Sequence, residues 1–247
     1  MRIALFTETY LPYINGVVTH VKLLREGLEK LGHTVLVVTS DPNTHHHYIE
    51  DGVLHCPAVK LKKIYGYGLA SPYSHTRTKL LDGVVLSGGE PLLQPDAADF
   101  LRKIRQMGFA VKLDTNGFFP DRLSAILEEG LVDYVAMDIK NAPEKYPITC
   151  GIPGLDTAPV AESVKLLRQS GVDFEFRTTL VREFHTPEDL LAIGRWLEGS
   201  PRYFLQAFVD SGNLVGSGCS PFTPQEMRDF TLLLRPFFGE VNLRGID

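Results

Sequence analysis

Short apolar runs alternate with amphipathic stretches along most of this chain. Arg2–Phe6 predicts a strand, and Gly16–Leu31 a helix whose stripe is Val17, Val21, Leu24, Leu28 and Leu31. Gly32 is placed to stop that helix, and Thr34–Thr39 supplies the next strand, which closes a βαβ unit. Asp41–Tyr48 is polar and turn-like, Val53–Cys56 predicts a short strand, and Lys60–Ser74, rich in Gly, Tyr and Lys, predicts loop. From Gly83 the rhythm is regular. Strands are expected at Gly83–Leu86, Ala110–Asp114, Asp133–Asp138, Asp173–Leu180, Tyr203–Phe208 and Glu240–Leu243. Helices are expected at Pro95–Met107, Asp121–Glu129, Val160–Gln169, Pro187–Leu197 and Pro224–Arg235. Pro95, Pro187 and Pro224 stand where a missing N–H costs little, and Gly108, Gly130, Gly171 and Gly199 stand where helices end. Repeated β-α units imply an α/β fold with a mostly parallel sheet, either open or curled toward a barrel.

Composition narrows the class without naming a chemistry. The 247 residues are 44% hydrophobic and 22% charged, as in ordinary globular domains. The net charge of −5 provides no basic field for nucleic acid or an anionic membrane surface. No apolar stretch approaches the roughly 20 residues that cross a bilayer, and the chain enters its first strand without a secretory signal. Three scattered cysteines, Cys56, Cys150 and Cys219, make no disulfide framework. A cytoplasmic location is expected.

The candidate chemistry gathers where strands end. Ser87-Gly88-Gly89-Glu90-Pro91 follows a strand, and its glycines would let backbone approach a ligand closely, although Gly-Gly after a strand also makes an ordinary tight turn. Asp114-Thr115-Asn116-Gly117 ends the next strand, Asp138-Ile139-Lys140 the one after, and Arg177 lies in the fourth. In a parallel β/α array such residues collect at one rim, whereas helix caps and surface ion pairs would scatter.

The stretches DGVVLSGGEPLLQ, VKLDTNGFFP, LVDYVAMDIKNAPEKY, FEFRTTLV and VNLRGID together resemble the glycyl-radical-enzyme activating branch of the radical S-adenosylmethionine (SAM) superfamily. The likeness is strongest to the activating proteins of anaerobic ribonucleoside-triphosphate reductase. The resemblance covers about two-thirds of the chain and implies SAM as cofactor and an anaerobic ribonucleotide reductase, or another glycyl radical enzyme, as partner. It implies that Gly88, Gly89 and Glu90 hold the methionyl amino group. Asp114, Thr115, Asp138 and Lys140 would lie around the carboxylate and ribose, Arg177 would meet the carboxylate, and Gln206 would sit near adenine. The same resemblance implies a [4Fe–4S] cluster on a Cys-x-x-x-Cys-x-x-Cys loop. The sequence has no such loop, and the ligands are therefore expected to be absent, which would lower SAM affinity and leave a SAM-site remnant without radical chemistry.

The first eighty residues carry a second resemblance. PYINGVVTHV, LEKLGHTVLVVTSD and IYGYGLASPYS are similar to the amino-terminal half of family 4 glycosyltransferases, which have a GT-B fold. Asn15 and Gly16 open a helix and so offer free N–H groups to phosphate or acceptor, or simply cap an ordinary βαβ unit. The family's Glu-x7-Glu donor-binding domain has no counterpart here, and sugar transfer is not expected. His45–His47 predict a solvated loop rather than a metal site, and His20 and His33 a helix face and a turn. The expected organisation is residues 1–79 as an incomplete Rossmann-like segment and 80–247 as a radical SAM core, a partial TIM-like barrel. The first segment would replace the missing first elements of that barrel in one continuous body. The join at Lys79-Leu80-Leu81 reads as a recombined or engineered fusion, or as an artefact of gene assembly. Three functions follow: an inactive activating-enzyme core, a nucleotide-sugar or acceptor binder, and a non-catalytic hybrid.

Overall fold

The computed structural model describes residues 1–7, 10–11, 16–41, 43–60, 68–70, 82–210 and 218–246. The fold is mostly parallel α/β, as the alternation predicts. By contact the chain divides into two compact units, Met1–Asp114 and Thr115–Asp247.

The first unit is built around β1 (Arg2–Thr7), with α1 (Gly16–Lys30) leading to β2 (Thr34–Asp41). β3 (Tyr48–Glu50), β4 (Val53–Lys60) and β5 (Gly68–Ala70) follow, then β6 (Gly83–Leu86), α2 (Ala97–Gln106) and β7 (Ala110–Thr115). β1 pairs in parallel with β2 on one side and with β6 on the other, in the registers Leu5↔Val37 and Leu5↔Val85. β6 pairs in turn with β7, and β2 with β4, both in parallel. β3 and β5 are antiparallel partners of β4. One apolar cluster joins Ile3, Leu5, Val18, Val21, Val35, Val37, Val53 and Val85, with Val17, Leu24 and Leu28 of α1 packed against it. The strand that leads into Ser87-Gly88-Gly89-Glu90 therefore shares its core with the amino-terminal βαβ unit. At the strand starts the Arg2 N–H donates to the Asp82 carboxylate over 2.6 Å, and the Asp82 N–H donates to the Arg2 carbonyl over 2.6 Å.

The second unit contains α3 (Pro120–Glu128), β8 (Tyr134–Asp138), α4 (Tyr146–Thr149), α5 (Ala158–Gln169) and β9 (Asp173–Leu180). It continues with α6 (Pro187–Trp196), β10 (Ser200–Ala207), α7 (Pro224–Leu234) and β11 (Phe238–Arg244). β8, β9, β10 and β11 are successive parallel neighbours. Thr186 and Thr223 close capping boxes with Asp189 and Glu226 at the starts of α6 and α7, each with proline in the first turn. Gly108, Gly130, Gly171 and Gly199 all take positive φ just past helix ends, which only glycine does without strain.

Three expectations change. Leu31 lies beyond the end of α1 and is 75% exposed, so the buried stripe ends at Leu28. The strand expected at Val53–Cys56 runs on to Lys60, and part of the expected loop, Gly68–Ala70, pairs with it. The rest of that loop, and the join at Lys79-Leu80-Leu81, lie outside the described residues.

Leu5 is 1% exposed at the centre of the first unit. Leu5→Ala is expected to cost about 2–5 kcal/mol in chemical denaturation. A loss under about 1 kcal/mol would show that β1 is dispensable to the unit.

Candidate functional site

In the first unit, Ser87 follows β6, and Gly88 and Gly89 form the bend after it. A Cβ built on either glycine meets no atom of the described residues within 4 Å. Packing among the described residues therefore does not demand glycine there, and the backbone is open to close approach. Glu90 caps the short helical turn Pro91–Leu93, its carboxylate accepting from the Leu92 N–H over 3.0 Å. Asp114, at the end of β7, is 3% exposed. It is bonded by Lys112 from its own strand, and His20 Nε2 on α1 lies 3.2 Å from its Oδ2. His20 is thus more than the helix-face residue expected: it is a hydrogen-bond partner of a predicted site acid. Gly16 opens α1, and Asn15 lies outside the described residues.

In the second unit the ends of β8 and β9 carry a denser array. Asp138 and Arg177 are register partners across the two strands, and Arg177 Nε donates to Asp138 Oδ1. Lys140 Nζ lies 2.9 Å from Asp138 Oδ2. Burial works against the Asp138 charge, but Arg177 and Lys140 outweigh it and hold the carboxyl well below the usual carboxylate range. Thr115 is buried, and its hydroxyl accepts the Gly117 N–H over 3.1 Å. Gly117 has φ +76° and a carbonyl that accepts from Ser163 Oγ over 2.7 Å, so this turn is fixed from both sides. Gln206 is next to last in β10, and the Thr179 hydroxyl donates to its Oε1 over 3.5 Å. Thr115, Asp138, Lys140, Arg177 and Gln206 thus all belong to strands, or the turns after them, of one unit.

Four residues that sequence reasoning passed over hold the Asp138–Lys140 turn. Tyr146 accepts the Lys140 N–H at its hydroxyl over 3.0 Å, and Thr178 donates to the Ile139 carbonyl over 2.7 Å. Asn141 donates to Thr149 and to the Phe184 carbonyl. His185 is 3% exposed and lies 2.9 Å from the Lys140 carbonyl through Nε2. Burial depresses its pKa, which favours a neutral ring with the proton on Nε2 and with Nδ1 accepting the Val181 N–H. The visible signal was the sequence His185-Thr186-Pro187-Glu188-Asp189, a histidine set directly before a capping box.

The three cysteines lie on separate segments. Cys56 is buried in β4, Cys150 follows α4, and Cys219 lies between residue 217 and α7. Burial pushes the Cys56 and Cys150 thiols up, away from the thiolate form that binds metal. Among the described residues, no three His, Cys, Asp or Glu side chains converge to hold a metal ion. No described helix is long and apolar enough to cross a membrane.

Comparison with known proteins adds to this geometry. The Radical SAM superfamily model matches residues 73–197. A "putative glycyl-radical enzyme activating enzyme" of Methanocaldococcus jannaschii is 30% identical over 169 residues, which span 59% of this chain and 70% of that protein. An alpha-monoglucosyldiacylglycerol synthase of Acholeplasma laidlawii is 44% identical over 71 residues, but these span 28% of this chain and only 18% of the synthase. Among solved structures, a domain of the pyruvate-formate lyase-activating enzyme from Bacteroides vulgatus superposes with a TM-score of 0.54 at 15% identity. That likeness, of fold alone, covers 66% of this chain and 99% of the domain.

The Asp138 geometry sets a pH dependence. A depressed native pKa contributes stability that is complete above the unfolded value, about 3.9, and is lost as pH falls through the native one. Asp138→Asn is expected to lower stability by about 1–3 kcal/mol near neutrality, with the gap to wild type closing below about pH 3. Urea denaturation across pH checks this, and a gap that stays constant down to acid pH would contradict it.

Proposed function

This chain belongs to the radical SAM superfamily, and on that premise we propose that it is an activating-enzyme-like core that binds SAM without performing radical chemistry. The ancestral reaction would be formation of a glycyl radical on an anaerobic ribonucleotide reductase or another glycyl radical enzyme. The M. jannaschii relative, whose name carries that activity, supports this lineage.

The observation that carries the reading is the contrast between the two halves of the required chemistry. The strand-end residues that the resemblance assigns to SAM are present in the sequence. Gly88 and Gly89 leave the backbone open, with Glu90 beside them, for the methionyl amino group. Asp114, Thr115, Asp138 and Lys140 would serve the carboxylate and ribose, and Gln206 the adenine. Arg177 would serve the carboxylate too, in competition with Asp138, which already engages it. The cysteines, in contrast, do not fit a [4Fe–4S] cluster: no one segment carries more than one of them, and burial raises the Cys56 and Cys150 thiols away from the thiolate form. Reductive cleavage of SAM needs an electron that protein side chains do not deliver, so no bond-breaking step is assigned here. What the residues of this chain do is bind and orient a sulfonium ligand.

The alternative, a binder of nucleotide sugar or acceptor through Asn15 and Gly16, draws on the 44%-identical stretch of the Acholeplasma synthase.

Calorimetry with SAM and iron-free protein tests the main reading. Saturable binding is expected, with no 5′-deoxyadenosine formed. Gly89→Val fills space that no atom of the described residues occupies, so stability should stay within about 0.5 kcal/mol while SAM binding is lost. Equal SAM affinity in wild type and Gly89→Val, or no binding by either, would refute the assignment.

A further inference from the structure

A cleft of about 460 Å³ opens in the first unit at the carboxyl end of β2, away from Gly88–Glu90 in sequence and lined by none of the residues assigned above. Its size suits a small organic ligand. Arg25, Thr39, Asp41, Tyr48, Glu50 and His55 line it. Thr39 is 3% exposed, and among the described residues its Oγ1 is the one buried side-chain polar atom with no hydrogen-bond partner. A hydroxyl buried without a partner is disfavoured unless something in the cleft supplies one. Asp41 Oδ1 accepts the Asn43 N–H over 2.9 Å and Oδ2 accepts the Tyr48 hydroxyl over 3.0 Å. A carboxylate has about four acceptor positions, so each oxygen retains capacity. The Tyr48 ring stacks flat on His55, with centroids 4.4 Å apart and planes within 3°.

Charge decides the ligand class. Arg25 is already held by Glu29 over 2.9 Å and by the Asp51 carbonyl over 2.7 Å. Asp41 and Glu50 leave the lining unfavourable to a phosphate. A metal is not indicated, because no group of three ligating side chains converges among the described residues. What remains is an uncharged ligand rich in hydroxyl groups with a flat apolar face. Asp41 also ends the second strand of a parallel βαβ unit, the position from which an acid reaches a ribose diol in dinucleotide-binding folds.

We propose that this cleft binds a vicinal diol on an uncharged ring compound, either the ribose of a nucleoside or a pyranoside. Asp41 accepts from the diol, Thr39 pairs its hydroxyl with the ligand, and the Tyr48–His55 stack covers the apolar face of the ring.

The test uses the full chain carrying Gly89→Val, so that adenosine is not read at the proposed SAM residues. Adenosine and methyl α-D-glucopyranoside are titrated in separate arms by calorimetry, with 2′-deoxyadenosine, a 2-deoxyglucoside and AMP alongside. Binding in the first arm assigns a nucleoside, and in the second a glycoside. The matching deoxy compound is expected to bind about tenfold or more weakly, and so is either diol to Asp41→Asn. AMP should bind more weakly than adenosine. Thr39→Val should weaken the ligand while leaving the unfolding temperature unchanged or raised, because the hydroxyl it removes has no partner in the protein. The proposal is overturned if neither diol binds, if affinity ignores Asp41→Asn, if AMP binds more tightly than adenosine, or if Thr39→Val lowers the unfolding temperature by several degrees.

Discussion

The pairing of β1 with strands on both of its edges is the constraint on which the first unit depends. A parallel strand left with a bare edge exposes a row of unpaired N–H and C=O groups. β6 presents such an edge on the side away from β7, and β1 covers it through registered partners from Ile3↔Gly83 to Phe6↔Leu86. Leu5, Val37 and Val85 then enter one apolar cluster, so the strand carrying Ser87-Gly88-Gly89-Glu90 is anchored by residues that resemble a glycosyltransferase. The requirement is generic. Any parallel strand with β-branched residues on its buried face, followed by a helix with a matching stripe, satisfies it.

The chemistry is less transferable than the fold. The Asp138–Arg177–Lys140 array is costly to assemble, since its charges are partly removed from water. It persists because the backbone around it is fixed by Tyr146, Thr178, Asn141 and His185. Such a scaffold is what a binding site needs. A redox centre needs something else, namely thiolates at close, fixed spacing. A fold of this kind carries no activity by itself, since function resides in sites rather than in folds.

Much of this was legible in the sequence because the signals were local. Gly83–Leu86 and Asp173–Leu180 were bounded to the residue by apolar runs between turn residues. The glycines after helices and the prolines opening α6 and α7 were legible for the same reason. Short edge strands escaped notice: Tyr48–Glu50 and Gly68–Ala70 have three residues each, too few to show alternation. The site's charged residues were identified by their place at strand ends, but their partners were not. That His20 would meet Asp114, or Arg177 pair with Asp138, depends on contacts between residues 94 and 39 positions apart. The cleft beside Asp41 was invisible for the same reason, because it forms only when β2, β3 and β4 come together around Thr39.

The claim that binding survives without radical chemistry is tested most directly by anaerobic reconstitution of the whole chain with iron and sulfide. Electron paramagnetic resonance is then recorded after reduction, with and without SAM. The account predicts no [4Fe–4S] signal in either sample. A cluster signal that SAM perturbs would contradict it, and would mean that the three cysteines, or ligands outside the described residues, assemble the centre after all.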